Sequence, residues 1–210
     1  SHVATLAGGT PTLGGGEYVG IAPRANLLNL RVLNTYGLGS ASNIIAALDW
    51  CVANKATYNI RVINMSLGTY AKDSYKTDPL CLAARRAVNA GIVVVAAAGN
   101  DGKDANGNKI YGGIHSPGID PSVITVGAVT SYGTDVRTDD TVATFSSRGP
   151  TRGYTVVKGA RKYDNLIKPD LVAPGNKIIS AQSYNRETAS SGDMLTASST
   201  TIGDDTGGTT

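Results

Sequence analysis

The sequence predicts an α/β domain with a mainly parallel central sheet flanked by helices. Three observations carry this. Residues 92–98 (IVVVAAA) are continuously apolar and rich in β-branched side chains, as in a strand buried on both faces of a parallel sheet. Strand-like and helix-like segments alternate along the chain, which favours βαβ units with right-handed crossovers. The helical segment before residues 92–98 opens on Pro79 and is followed by Gly91, the order that helix termini prefer.

The elements follow in chain order. Residues 2–9 (HVATLAGG) predict a short small-residue helix closed by Gly8 and Gly9. A glycine-rich loop covers residues 10–20. Residues 25–33 (ANLLNLRVL) are an apolar segment and predict a strand. Residues 40–54 predict a helix, with Ile44, Ile45, Leu48, Cys51 and Val52 on one face and Ser40 or Ser42 as N-cap. Residues 60–65 (IRVINM) predict the next strand, residues 69–78 a polar loop, and residues 79–90 (PLCLAARRAVNA) a helix. Residues 92–98 and 122–129 (SVITVGAV) predict two more strands, and residues 177–180 a short one. The tail from Thr188 to Thr210 is rich in Ser, Thr and Gly and reads as loop or weak hairpin.

Composition removes several function classes. The 210 residues suit a single domain, 1–210, with room for a real core. With 19 basic and 16 acidic side chains the net charge is +3, too small a bias to argue for nucleic acid or an anionic membrane as partner. The longest apolar run, residues 92–98, is far shorter than the ~20 residues of a membrane helix. Cys51 and Cys81 are too few for a disulfide scaffold or a four-ligand zinc site, and buried thiols within helices are favoured over a bridge. Glycine stands out: 26 residues of 210, about 12% against the usual ~7%, which predicts tight turns and close backbone approaches.

In open α/β sheets ligands bind beyond the carboxyl ends of the strands. Three predicted loops there carry glycine: Gly37-Leu38-Gly39, Ser66-Leu67-Gly68 and Gly99-Asn100-Asp101-Gly102. Asn100 follows the apolar strand after a single glycine. Its amide is placed either to donate to a developing oxyanion or merely to shape a turn, and spacing alone favours the turn. Gly37-Leu38-Gly39 also has the start of a dinucleotide fingerprint, but Ser42 stands in the third glycine position and no acidic residue follows about 20 positions on. His2 and His115 have no second metal ligand at helical spacing, and the carboxylate pairs Asp139-Asp140 and Asp204-Asp205 read as solvated. A structural calcium site made partly of backbone oxygens is allowed but has no address in the sequence.

Taken together, these segments resemble the subtilisin-like serine peptidases, the subtilases. The likeness rests on HVATLAGG at 2–9, GIAPRANL at 20–27, RVLN at 31–34, VINMSLG at 62–68 and GIVVVAAAGN at 91–100. It continues in SPGIDPSVITVGAV at 116–129, FSSRGP at 145–150 and KPDLVAPG at 168–175, all in family order. RTDDTVATFSSRGP and the DPLCLA helix start resemble bacterial subtilases of the alkaline, intracellular-type branch. The resemblance implies a three-layer subtilisin-like fold and a serine endopeptidase acting through a Ser–His–Asp triad, without a cofactor for the chemistry. It places Asn100 at the oxyanion hole, reversing the preference from spacing. Ser66, Leu67 and Gly68 fall on one wall of the pocket for the residue before the scissile bond, and Ala97, Ala98 and Gly99 on the other. Gly37, Leu38 and Gly39 fall on the edge that pairs with the substrate backbone. The expected partners are polypeptide substrates, with a broad preference for apolar or aromatic side chains in that pocket. Ala41 stands where many relatives carry a bulky aromatic, predicting a more open outer subsite. A pro-segment is expected in the parent, and secretion is favoured over an intracellular location.

The chain also departs from the family pattern. His2, followed by Val-Ala, matches the second His of His-Gly-Thr-His, so the general base and the triad Asp are expected before residue 1. No Gly-Thr-Ser-Met-Ala string is present, so the nucleophile is expected after the tail. The chain therefore reads as an internal piece of a catalytic domain, inactive by itself. A non-catalytic peptide-binding relative is the alternative. Pairing His2 with Ser66 or Ser146 as a substitute base and nucleophile has little support, and FSSRGP reads as a structural turn.

Overall fold

The computed structural model describes residues 2–12, 16, 18–34 and 36–181, which fall into two compact units. One consists of the described residues up to Asn29 and from Asn176 onward, the other of Leu30–Gly175. Tail residues Asp193, Asp204 and Asp205, and the tail's expected loop or hairpin, lie outside the described residues.

The larger unit is the predicted α/β sheet. It contains helices α2 (Ala41–Ala53), α3 (Lys55–Tyr58) and α4 (Pro79–Asn89), and strands β1 (Val62–Met65), β2 (Val93–Ala97), β3 (Ile124–Thr130), β4 (Thr141–Val142), β5 (Tyr154–Val157), β6 (Ala160–Tyr163) and β7 (Leu171–Pro174). Strands β1, β2 and β3 run side by side in parallel, β7 pairs parallel with β3, and β4 pairs antiparallel with it. The β1–α4–β2 unit is the expected crossover. From β2 to β3, by contrast, residues 98–123 return without a helix, and this long connection builds most of the candidate site.

Local chemistry explains the helices. The Ser40 hydroxyl accepts from Asn43 N at 3.2 Å and caps α2. The Asp78 carboxylate accepts from Leu80 N and Cys81 N, both at 2.9 Å, ahead of Pro79 in the first turn of α4. Gly91, at φ 79°, lets the chain turn out of α4 into β2. Leu48 and Cys51 of α2, Leu80, Ala83, Ala84 and Ala87 of α4, and Val94 and Ala96 of β2 share one buried core with Met65, Ile92 and Val123. Cys51 and Cys81 are both free and buried within helices. Burial raises both thiol pKa values, with Asp78 and Asp120 adding to the effect at Cys81, so neither thiol is activated.

Four expectations change. The strand predicted at 25–33 is absent: the segment has no ladder partner among the described residues, and Leu27 and Leu28 are exposed. A strand is completed by a neighbour's hydrogen bonds, which an apolar pattern cannot supply. Residues 92–98 are not covered equally on both faces. Ile92, Val94, Ala96 and Ala98 are buried, but Val93 is 46% exposed, because α2 and α4 pack on the same face. No strand forms at 177–180; among the described residues the last strand is β7, a few residues earlier. Finally, β5 and β6 form an unpredicted antiparallel hairpin whose turn holds Lys158 (φ 51°) and Gly159 (φ 79°) in left-handed geometry.

In the smaller unit α1 (His2–Gly8) forms as predicted and Thr5 O accepts from Gly9 N at 2.8 Å. Ile21 N and Ala22 N donate to Leu6 O and Ala7 O, folding the following loop back along the helix. A side chain at Gly20 would lie 2.4 Å from Gly9 N, so only glycine fits there.

Candidate active site

Parallel pairing brings two of the three glycine-bearing loops together. Met65 pairs with Ala96, so Ser66-Leu67-Gly68 and Ala97-Ala98-Gly99 leave the sheet as neighbours at the carboxyl ends of β1 and β2. Ser66 and Gly68 are exposed, Leu67, Ala97 and Gly99 half-buried, and Ala98 buried. The third segment, Gly37-Leu38-Gly39, lies exposed just before α2. There the Asn34 carboxamide oxygen accepts from Tyr36 N (2.9 Å) and Leu38 N (3.0 Å). Among the described residues no backbone hydrogen bond joins this loop to the other two.

Asn100 stands at the bend beyond β2. Its side chain is exposed and has no hydrogen-bond partner among the described residues. The backbone beneath it is firmly held. Gly99 has φ 108°, a conformation that strains any other residue. Ser147 binds the turn twice: its N–H donates to Gly99 O at 3.0 Å, and its hydroxyl accepts from Asp101 N at 3.0 Å. Gly102 N donates to Phe145 O at 2.9 Å, and Arg148 Nη1 donates to Gly102 O at 2.8 Å. FSSRGP is thus a strap across the Asn100 turn. The arrangement leaves one unspent amide on a firmly held turn, suited to meeting a negative charge that develops on a bound carbonyl oxygen.

The sequence reading missed the neighbouring pair. His115 Nε2 is hydrogen-bonded to the carboxylate of Asp101, and the His115 ring packs at 5.0 Å from that of Tyr70. His115 N donates to Ala98 O at 3.0 Å, while the next residue, Ser116, exchanges backbone hydrogen bonds with Thr69. His115 is therefore sewn to both loops. The signal was weak but present: both residues lie in the β2–β3 connection, amid glycines 99, 102, 112 and 113 that permit close approach.

The side chains weighed as substitute base and nucleophile each have partners within their own unit. His2 Nε2 meets Ile178 O at 3.1 Å. The Ser146 hydroxyl is buried and accepts from Ala128 N at 3.0 Å, and the Ser66 hydroxyl accepts from Asn64 Nδ2 at 3.0 Å. Among the described residues no group of three His, Cys, Asp or Glu side chains is placed to hold a metal ion. The Asp104 carboxylate is occupied by N–H groups of Asn106 and Asn108, which hold its pKa below the usual range. No described helix is long and apolar enough to cross a membrane.

Comparison with known proteins bears on the family and the fold. The model of the subtilase family matches residues 1–207. The serine protease AprX of Bacillus subtilis (strain 168) is 41% identical over 190 residues, covering 88% of this chain and 39% of that protein. An extracellular serine proteinase of Thermus sp. (strain Rt41A) is 39% identical over 188 residues, covering 90% of this chain and 35% of that one. Among solved structures, Sphericase superposes with a TM-score of 0.66 at 28% identity, over 86% of this chain and 53% of its own. The chain thus spans well under half the length of these two curated relatives.

Proposed function

This chain belongs to the subtilase family, and from that premise we propose that it supplies the oxyanion donor and the substrate cleft of a serine endopeptidase. The observation that carries this reading is Asn100: an exposed, unspent amide on a strapped turn at the exit of a parallel strand. In the proposed reaction the substrate's backbone lies along the loops at Ser66–Gly68 and Gly37–Gly39, whose exposed main chain offers sequence-tolerant hydrogen bonds. Serine attack on the scissile carbonyl places negative charge on its oxygen, and the Asn100 amide N–H donates to it. The reading assigns none of the triad residues to the 210 positions of this chain and requires no cofactor. Its substrates are polypeptides, and the name of the Thermus relative supports secretion.

The test is made on the full-length protein with a set of peptide substrates. Hydrolysis inhibited by a serine-directed fluorophosphonate is expected. Asn100→Ala should lower kcat by about 10²–10³ with little change in KM, because the hydrogen bond matters most in the transition state. Peptide binding without hydrolysis would favour a non-catalytic relative, and full activity in the Asn100 variant would remove the assigned donor.

A further inference from the structure

We propose that the β5–β6 hairpin is a docking arm for acidic segments of polypeptide substrates, a contact separate from the cleft that holds the scissile bond. This rests on the peptidase reading above and adds a second contact with the same substrate.

Charge is the first argument. Residues 152–163 carry four basic side chains, Arg152, Lys158, Arg161 and Lys162, and no acidic one. All four are exposed. Among the described residues none of them is in an ion pair, whereas Arg85, Arg86 and Lys168 are each matched to a carboxylate. Two carboxylates lie beside the hairpin. Asp164 is spent on the Ser74 hydroxyl (2.7 Å) and Tyr75 N (3.0 Å). Asp73 is exposed, but Lys72 and Lys76 stand on either side of it in the chain. The positive charge of the hairpin is thus left for a partner.

Mounting is the second. The Arg161 guanidinium lies over the Tyr154 ring at 4.6 Å, that of Arg152 over the Tyr163 ring at 5.3 Å, and the two rings meet edge to face at 5.7 Å. This ladder removes rotamer freedom that binding would otherwise have to remove. Ser74 N donates to Tyr154 O at 2.9 Å, and Tyr154 N to Lys72 O at 3.4 Å, so the hairpin is fastened to the loop that leaves β1. Ser74 follows Gly68 by six positions, a span of at most about 20 Å. One extended substrate of modest length reaches both.

Shape selects the occupant. The outer edge of β6 has no ladder partner among the described residues. Arg161 and Lys162 project to opposite faces of that edge, and Val156 and Val157 are exposed on the neighbouring strand. An extended acidic polypeptide adds along the edge and meets a cation on either face. A second copy of the chain would bring like charges together. Nucleic acid fits less well, because guanidinium groups already lie over the tyrosine rings on which bases would stack.

The experiment uses the full-length protein and two peptide substrates with the same cleavable stretch. A flexible Gly/Ser linker joins that stretch to a run of glutamates in one and of glutamines in the other, with versions carrying the run on either side. On one side at least, the glutamate peptide should have a kcat/KM about tenfold higher, through KM, as two or three exposed charge pairs give. The ratio should fall to near one at about 1 M salt, where the screening length is about 3 Å. Arg161→Gln with Lys162→Gln should also bring it near one. Lys162→Glu, which disturbs no stacked ring, serves if the double variant fails to fold. A ratio near one in the unmodified protein with the run on either side, or a ratio that these variants leave unmoved, overturns the proposal. So does tighter binding to a single-stranded oligonucleotide than to a glutamate peptide of equal charge. If neither peptide is cleaved, the peptidase reading fails separately. The dissociation constants of the same peptides then decide: a glutamate preference lost in the variants upholds the arm, and a ratio near one overturns it.

Discussion

The Gly99–Asp101 turn and the Gly37–Gly39 loop carry similar local signals: glycine and small residues after an apolar segment. They are mounted very differently. The first leaves a strand paired on both sides and is tied down by Ser147, Phe145 and Arg148. The second follows a segment without ladder partners and closes on its own Asn34 side chain. A glycine-bearing loop offers backbone to a ligand in either case. Only the strapped one holds the backbone under its side chain in place, as a group that meets transient charge requires.

The sharpest way to break this contrast is to place the same methyl group in both. Gly99→Ala combines a strained φ with Cβ contacts at 2.8 Å to His115 and 2.9 Å to Ser147, and should cost about 3 kcal/mol. Gly37→Ala has φ 73°, close to the left-handed region an L residue can adopt, and open space around it, so it should cost about 1 kcal/mol. Denaturant unfolding of the two variants measures the difference; equal losses would mean that the turn at Asn100 is no more tightly packed than the loop. Next in size is the strap. Ser147→Ala leaves Asp101 N without its acceptor and should cost about 1–2 kcal/mol of stability. It should also lower kcat of the full-length enzyme about tenfold at nearly constant KM, since Asn100 would lose its aim. An unchanged kcat would show that the turn holds itself.

The smallest effect concerns the strand behind the strapped region. Burial pushes the Asp170 carboxyl up, but hydrogen bonds from Lys168 and Thr125 N outweigh it and hold its pKa below the ordinary 3.8. A carboxyl whose pKa is depressed in the folded state contributes stability that is complete above its unfolded value. That contribution is lost as pH falls through the folded one. Stability should therefore decline below about pH 4, and Lys168→Met should flatten that part of the profile. Unfolding midpoints measured from pH 5 to pH 2.5 test this; an unchanged slope in the variant would exclude the pair as its source.

Much of the sheet was legible because its signals are local. The β-branched run of β2, the cap Ser40 and the Pro79–Gly91 punctuation each act within a few residues, whereas the Asp78 cap of α4 was not read. The β5–β6 hairpin carried a signal that was overlooked, a Lys-Gly pair between β-branched and aromatic residues. The segment 25–33 shows the opposite failure: it has strand-forming side chains, but no neighbour completes it.

By itself the sequence determined the order from α2 through β1, α4 and β2 to β3, the Ser40 cap and apolar face of α2, and through its motifs the family. Tertiary structure alone decided what surrounds Asn100. Ser147 reaches Asp101 across 46 positions, and His115 reaches it across 14. Periodicity and propensity describe which face of an element is apolar, but not where a connection of 26 residues without a helix returns. That path follows from the parallel pairing of β2 with β3 and from glycines that let backbone approach backbone, and it set a carboxylate and an imidazole beside the amide the sequence had singled out.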